Sequence, residues 1–188
     1  MKKIAKIMIW GIVIVFLVIA VKAGLETLGQ MMYPLRHSEY IEEYAKEYEL
    51  DPVLVMAVIK AESNYIHDAH SGIARGLMQL TDETAKWVAE KMKMKDFQPD
   101  DVENPETNIK MGCFYLRYLM DYYSDTDLAL AAYNGGMGNV DKWLKNEEYS
   151  KDGKTLDTIP FPETSGYVKK VHRYMDIYRK LYANKKGL

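Results

Sequence analysis

Along most of the chain, apolar residues return every third or fourth position, the spacing of one helix face. Tyr40, Ile41, Tyr44 and Tyr48 recur in this way after Ser38, which can cap a helix through about Tyr48. Asp51-Pro52 is a cap residue followed by proline in the first turn, and its helix is expected to run to about Ser63. Thr81 can cap a helix with Ala85, Val88, Ala89 and Met92 on one face. Asn104-Pro105 repeats the cap-then-proline signal ahead of Ile109, Cys113, Leu116, Tyr118, Leu119 and Met120. Asp127 is expected to start a short apolar helix that stops at Asn134-Gly135-Gly136, and another follows from about Met137 to Leu144. Residues 147–162 are charged and turn-rich. The last helix then places Tyr167, Val171, Tyr174, Tyr178 and Leu181 on one stripe. No internal repeat and no convincing strand is visible, so residues 38–183 read as one compact all-α domain with a short tail at 184–188.

Two apolar runs break the periodic pattern. The first, residues 7–21, is uncharged and apolar on every face, and it follows Lys2, Lys3 and Lys6. Residues 1–23 are therefore a membrane anchor or a signal sequence, with 24–37, containing Gly24, Gly29 and Pro34, as a linker. The run is long for a signal peptide and Val21-Lys22-Ala23 is a poor cleavage site. Counting Ile4 and Ala5, with the flanking lysines snorkelling, it becomes long enough to span. The expectation is a single-pass anchor with the rest of the chain outside the cytoplasm; secretion after cleavage is the alternative.

The second run is "VLVMAVIKAESNY", residues 53–65. Seven apolar residues are followed, three positions on, by Glu62 and Ser63. In the last turn of a helix the backbone dipole disfavours a negative charge, and apolar neighbours do the same. Both effects hold a proton on the acid, as general acid catalysis requires. Taken alone, a solvated helix-end glutamate is the plainer reading.

Composition narrows the function. The 188 residues carry a net charge of −2, which lacks the basic footprint of a nucleic-acid binder. The one cysteine, Cys113, sits in an apolar helical pattern and reads as a buried structural thiol. Tyrosine is abundant, 15 against 4 Phe, and such rings can stack on sugars while their hydroxyls donate hydrogen bonds.

Three further segments carry candidate chemistry. In "RGLMQL", Gln79 offers a donor and an acceptor suited to a sugar hydroxyl or acetamide, and Met78 offers an apolar face. "LALAAYNGGMGNV" ends an apolar helix at Tyr133 and Asn134. "IPFPETSGYV" places Glu163 and Tyr167 one helical turn apart. Each has a bland reading as a loop, a helix stop or a helix start.

The motifs in order, Glu62-Ser63, Gly76-Leu77-Met78-Gln79, Ala132-Tyr133-Asn134-Gly135, and Ile159-Pro160 with Glu163-Thr164 and Tyr167, resemble the soluble lytic transglycosylase family. "NPETNIKMGCFYL" also looks like the family's segment between its second and third motifs. The resemblance covers about residues 38–183. One departure is Ile73-Ala74, where the family usually has a Gly-Ala pair.

The resemblance implies a goose-type lysozyme-like helical domain acting on peptidoglycan glycan strands. Such enzymes cleave the β-1,4 bond between N-acetylmuramic acid and N-acetylglucosamine and leave a 1,6-anhydro end, without water, metal or cofactor. It implies that Glu62 is the catalytic acid and then the base, that Ser63 and Gln79 contact the sugar, that Met78 lines the cleft and that Tyr133 orients Glu62. Asn134, Glu163 and Tyr167 would shape the subsites or touch the peptide stem. A lysozyme-like hydrolase, or a non-catalytic glycan-binding scaffold in an envelope assembly, are the alternatives.

Overall fold

The computed structural model describes residues 2–183; the tail at 184–188 lies outside the described residues. The chain divides into two compact units, Met1–Leu35 and Arg36–Leu188. The first contains helix α1 (Lys2–Met32). It runs on through the first nine residues of the expected linker. Apolar Leu25, Leu28, Met31 and Met32 sustain it past Gly24 and Gly29, and the Thr27 hydroxyl donates to the Ala23 carbonyl at 2.9 Å. The helix stops just short of Pro34, as the steric demand of proline on the preceding residue requires. Its segment Lys6–Met32 is long and apolar enough to cross a membrane, and its apolar window is wholly exposed.

The second unit is helical, with α2 (Ser38–Glu47), α3 (Pro52–Glu62), α4 (Asp82–Lys91), α5 (Pro105–Tyr123), α6 (Thr126–Gly135), α7 (Met137–Leu144) and α8 (Pro162–Leu181). Asp51, Thr81 and Asn104 cap their helices as expected, accepting from the Val53, Thr84 and Thr107 amides at 2.8, 3.1 and 3.0 Å. Two starts differ. Ser38 is the first helical residue, and His37, in a left-handed conformation, precedes it without a side-chain cap. α6 is capped by Asp125, whose extended backbone lets its carboxylate accept from Leu128 N at 2.8 Å; Asp127 lies inside the first turn.

A two-residue antiparallel ribbon, β1 (Ala74–Arg75) with β2 (Leu80–Thr81), joins α3 to α4. Strands this short leave no alternating pattern to read. The ribbon turns at Gly76, at φ +78°, where a Cβ would overlap the Asn108 side chain and the Val102 carbonyl. The nearby Ile73 side chain is exposed, so the departure from a Gly-Ala pair places a large residue where nothing crowds it. A 3-10 turn at Pro99–Glu103 leads into α5.

α3 is the centre of the domain. Residues 53–59 are all buried, because α2 packs on one side and α8 on another. A helix covered on several sides needs no polar face, which accounts for the unbroken apolar run. α5 packs against α2, α4 and α6, and α6 packs against α7 and α8. Cys113 is fully buried on α5, and burial raises its thiol pKa, as expected of a structural thiol.

Candidate active site

Glu62 is the last residue of α3, where the buried run meets the edge of the domain. Its side chain is half-buried. Burial pushes its pKa up to about 7, while Tyr167 and Lys170, both from α8, pull it back toward the ionised form. The acid therefore holds its proton up to neutral pH, far above an ordinary solvated glutamate. The Tyr167 hydroxyl is buried beside Glu62. It lies close enough to favour the carboxylate, but makes no hydrogen bond of strict geometry to any described residue. Lys170 donates to the Ala61 carbonyl at 2.9 Å and lies 5.7 Å from the centroid of the Tyr167 ring.

The turn after β1 forms the second part of the site. Gln79 adopts a left-handed conformation, φ 48°, and its amide nitrogen donates to the Ala69 carbonyl at 2.9 Å and the Gly76 carbonyl at 2.8 Å. Both amide hydrogens are thus engaged within the protein, and Oε1 is the group left to meet a ligand, as an acceptor. Asn108, fully buried on α5, braces the same turn. Its Oδ1 accepts from Met78 N at 2.7 Å, and its Nδ2 donates to Arg75 O at 3.1 Å and Val102 O at 2.8 Å. All of its hydrogen-bonding groups are engaged, so a polar side chain is tolerated in the core.

Tyr133 joins the two parts. Its hydroxyl donates to the Met78 carbonyl at 2.7 Å, and its environment includes the charge of Glu62. The expected role of orienting Glu62 thus acquires a different geometry: the hydrogen bond goes to the turn that carries Gln79, and Tyr167 is the tyrosine whose hydroxyl acts on the acid.

The remaining expected residues divide. Ser63 is buried and caps α3, with its hydroxyl donating to the Ile59 carbonyl at 3.2 Å. The Met78 side chain does not line the cleft. It is fully buried against α5, where Gly112 leaves room for it and a Cβ would overlap its sulfur. Asn134 is half-buried in the last turn of α6, and Glu163 is exposed in the first turn of α8.

Four side chains escape a reading of the motifs alone. Tyr115 lies 5.4 Å from Tyr133 between ring centroids, and Trp87 lies 6.0 Å from Tyr115 and 4.7 Å from Tyr118. Trp87 and Tyr115, with Glu83, Thr84 and Met137, line a groove of about 260 Å³. This aromatic wall suits the apolar face of a sugar ring. The abundance of tyrosine was its one signal in the sequence. Asn108, although inside the family-like segment at 104–116, and Lys170 are not marked individually, since a polar residue on a helix reads as a solvated face until its neighbours are placed.

A lysozyme-like helical domain with one proton-holding carboxyl at the end of its central helix is the class this fold and site define. The family model described as the transglycosylase SLT domain matches residues 39–156, and the chain belongs to that family. The chain is 33% identical over 160 residues to the soluble lytic murein transglycosylase of Salmonella typhimurium strain LT2, covering 83% of this chain and 25% of that protein. It is 28% identical over 163 residues to the membrane-bound lytic murein transglycosylase C of Yersinia enterocolitica, covering 74% of this chain and 46% of that protein. Among solved structures, an inactive mutant of the lytic transglycosylase Slt from Pseudomonas aeruginosa is similar. Its TM-score is 0.72 and its identity 32%, over 85% of this chain and 26% of that one. The 70 kDa soluble lytic transglycosylase of Escherichia coli gives a TM-score of 0.73 at 30% identity, over the same shares of the two chains. The chain spans about a quarter of the length of these soluble relatives.

Proposed function

We propose that the domain is a peptidoglycan lytic transglycosylase in which Glu62 serves as both acid and base. The observation that carries this reading is the placement of Glu62 at the end of the buried helix α3, where burial pushes its pKa up and the groups acting on it, Tyr167 and Lys170, are not carboxylates. Most glycosidases that use water or a protein nucleophile set a second carboxyl within about 5–10 Å of the first. A single carboxyl that can give and take a proton at neutral pH suits a reaction in which the substrate supplies the nucleophile.

Glu62 donates its proton to the glycosidic oxygen as the bond from that oxygen to C1 of the muramic acid breaks, with the 2-acetamido group assisting at C1. The C6 hydroxyl oxygen then bonds to C1, and its proton passes to the Glu62 carboxylate. The enzyme returns to its starting state and the product ends in a 1,6-anhydro ring. Gln79 Oε1 accepts from a sugar hydroxyl or acetamide N–H, and the wall of Trp87 and Tyr115 receives a neighbouring ring. The Asn134 side chain, in the last turn of α6, and the Glu163 side chain, in the first turn of α8, would meet outer sugars or the peptide stem.

The segment Lys6–Met32, about 40 Å long as a helix, exceeds the roughly 30 Å hydrocarbon thickness of a bilayer. We infer that it anchors the chain, with the domain on the peptidoglycan side. The membrane-bound name of the Yersinia relative supports that reading.

The test is digestion of purified peptidoglycan by the full-length protein in detergent. Wild type should release soluble muropeptides, whereas Glu62→Gln should keep its fold and its sedimentation with peptidoglycan but release none. Undiminished release by Glu62→Gln would contradict the assignment.

A further inference from the structure

Helix α3 ends on Glu62, so the carbonyls of its last turn lack the amides that a continuing helix would provide. Ser63 serves one of them, since both its amide and its hydroxyl donate to the Ile59 carbonyl, at 3.0 and 3.2 Å. The Ala61 carbonyl, which belongs to the peptide unit leading into Glu62, is served from another element. Lys170 reaches across from α8 and donates to it at 2.9 Å. Lys170 lies three residues after Tyr167, so the two side chains share one face of α8, and the ammonium sits 5.7 Å from the tyrosine ring centroid. One cation thus touches the backbone that carries the acid and the ring whose hydroxyl faces it.

We propose that Lys170 is a positioning residue for Glu62: it pins the last turn of α3 to α8 and fixes a positive charge where the carboxylate forms. The inference rests on the reading of Glu62 as the acid and base.

Other groups near the site among the described residues are placed differently. On α3, Lys60 directs its ammonium to the Asn64 side-chain oxygen. On α8, Glu163 and Lys169 are exposed, and Tyr167 contributes a neutral hydroxyl. From α6, Tyr133 contributes a hydroxyl bound to the Met78 carbonyl. Among the described residues, Lys170 is a cation whose charge acts on Glu62.

The electrostatic consequence has a definite sign. Burial favours the protonated acid, and Lys170 opposes it by stabilising the carboxylate. A site that must release a proton early and recover it later needs both influences. With burial alone, the acid would be weaker and slower to protonate the glycosidic oxygen. A cation at the C-terminal end of α3 also complements the helix dipole, which otherwise works against the carboxylate.

Two variants of the full-length protein separate the possibilities. Lys170→Gln keeps a donor for the Ala61 carbonyl and removes the charge; Lys170→Arg keeps the charge. The rate of muropeptide release is followed against pH, with thermal unfolding as a check on folding. Activity needs protonated Glu62, so the rate falls on the alkaline side as the acid ionises. In Lys170→Gln that fall should move up by about one pH unit. Its kcat at the optimum should drop about five-fold with KM within about two-fold, because a weaker acid slows proton donation. Lys170→Arg should recover the wild-type profile. If Lys170→Gln does not fold, Lys170→Met, which removes the donor as well as the charge, is read by the position of its alkaline limb alone.

A folded neutral variant whose alkaline limb coincides with wild type would overturn the proposal, including one whose rate is merely lower at every pH. Glu62→Gln is measured alongside. If it remains active, the acid assignment fails. If it is inactive while the neutral variant shows no shift, only the role of Lys170 fails.

Discussion

The Tyr133 hydroxyl donates to the Met78 carbonyl at 2.7 Å, tying helix α6 to the turn that presents Gln79. The donor and acceptor are 55 residues apart in sequence, and the bond lies between the two parts of the site. Tyr133→Phe removes the donor and strands a carbonyl in a partly buried place, at a cost of about 1–3 kcal/mol. Because the turn carries Gln79, activity should fall by about ten- to a hundred-fold as Oε1 loses its position. Denaturant unfolding and release assays on the same preparation check both. A loss of stability without loss of activity would assign the bond to folding alone.

Gly112 gives a second prediction. A Cβ there would overlap the Met78 sulfur and crowd its Cβ. Gly112→Ala is expected to destabilise by about 1–3 kcal/mol, as overpacking of a filled core does. The displaced Met78 would disturb the hydrogen bond from its backbone N–H to Asn108 Oδ1, 2.7 Å in wild type, so the activity loss should resemble that of Tyr133→Phe. Unfolding midpoints and release rates of the two variants, compared side by side, decide this.

The titration of Glu62 should be visible in stability. Its folded pKa, about 7, lies above the ordinary value of 4.5, so the folded state binds more protons than the unfolded state between those limits. Stability is therefore favoured below pH 4.5 and lost as pH rises through 7, by up to about 3 kcal/mol for this group. Glu62→Gln cannot ionise. Its stability relative to wild type should rise from pH 4.5 to pH 8, as thermal unfolding across that range would show. A constant difference would mean that Glu62 titrates as an ordinary surface acid.

Much of this fold can be read directly in the chain, for local reasons. Asp51, Thr81 and Asn104 cap the helices they precede, because the cap is made by residues two or three apart. The run at 53–59 announces a helix with no solvent face. What depends on distant neighbours was hidden. Met78 looks like a cleft residue until α5 places Gly112 behind it. Gln79 looks like a free amide until the chain at Ala69 and Gly76 takes both its hydrogens. Which of two tyrosines acts on Glu62 through its hydroxyl depends on the approach of α6 and α8, and no spacing in sequence encodes that. The end of α1 at Met32 and the start of α6 at Thr126 differ from the expected bounds for a smaller reason. Several residues in each region could cap or continue the helix, and the backbone selects among them.

The aromatic wall also makes a prediction. Trp87 packs edge-on against Tyr118 and Tyr115 and lines the groove beside them. Trp87→Ala should raise KM for glycan strands by about ten- to a hundred-fold, since burying an apolar face of this size contributes on the order of 1.5–3 kcal/mol. kcat should change little, because the ring does not meet the reacting atoms. Kinetics on solubilised glycan chains would separate the two constants, and a selective fall in kcat would instead place Trp87 within the chemistry.

The central claim is that one carboxyl performs both proton transfers while the substrate supplies the nucleophile. The most direct test is the mass spectrum of the muropeptides released from purified peptidoglycan by the full-length protein. The muramic acid ends should be one water lighter than reducing ends and stable to borohydride reduction. Hydrated, reducible ends throughout would contradict the claim and make the domain a hydrolase.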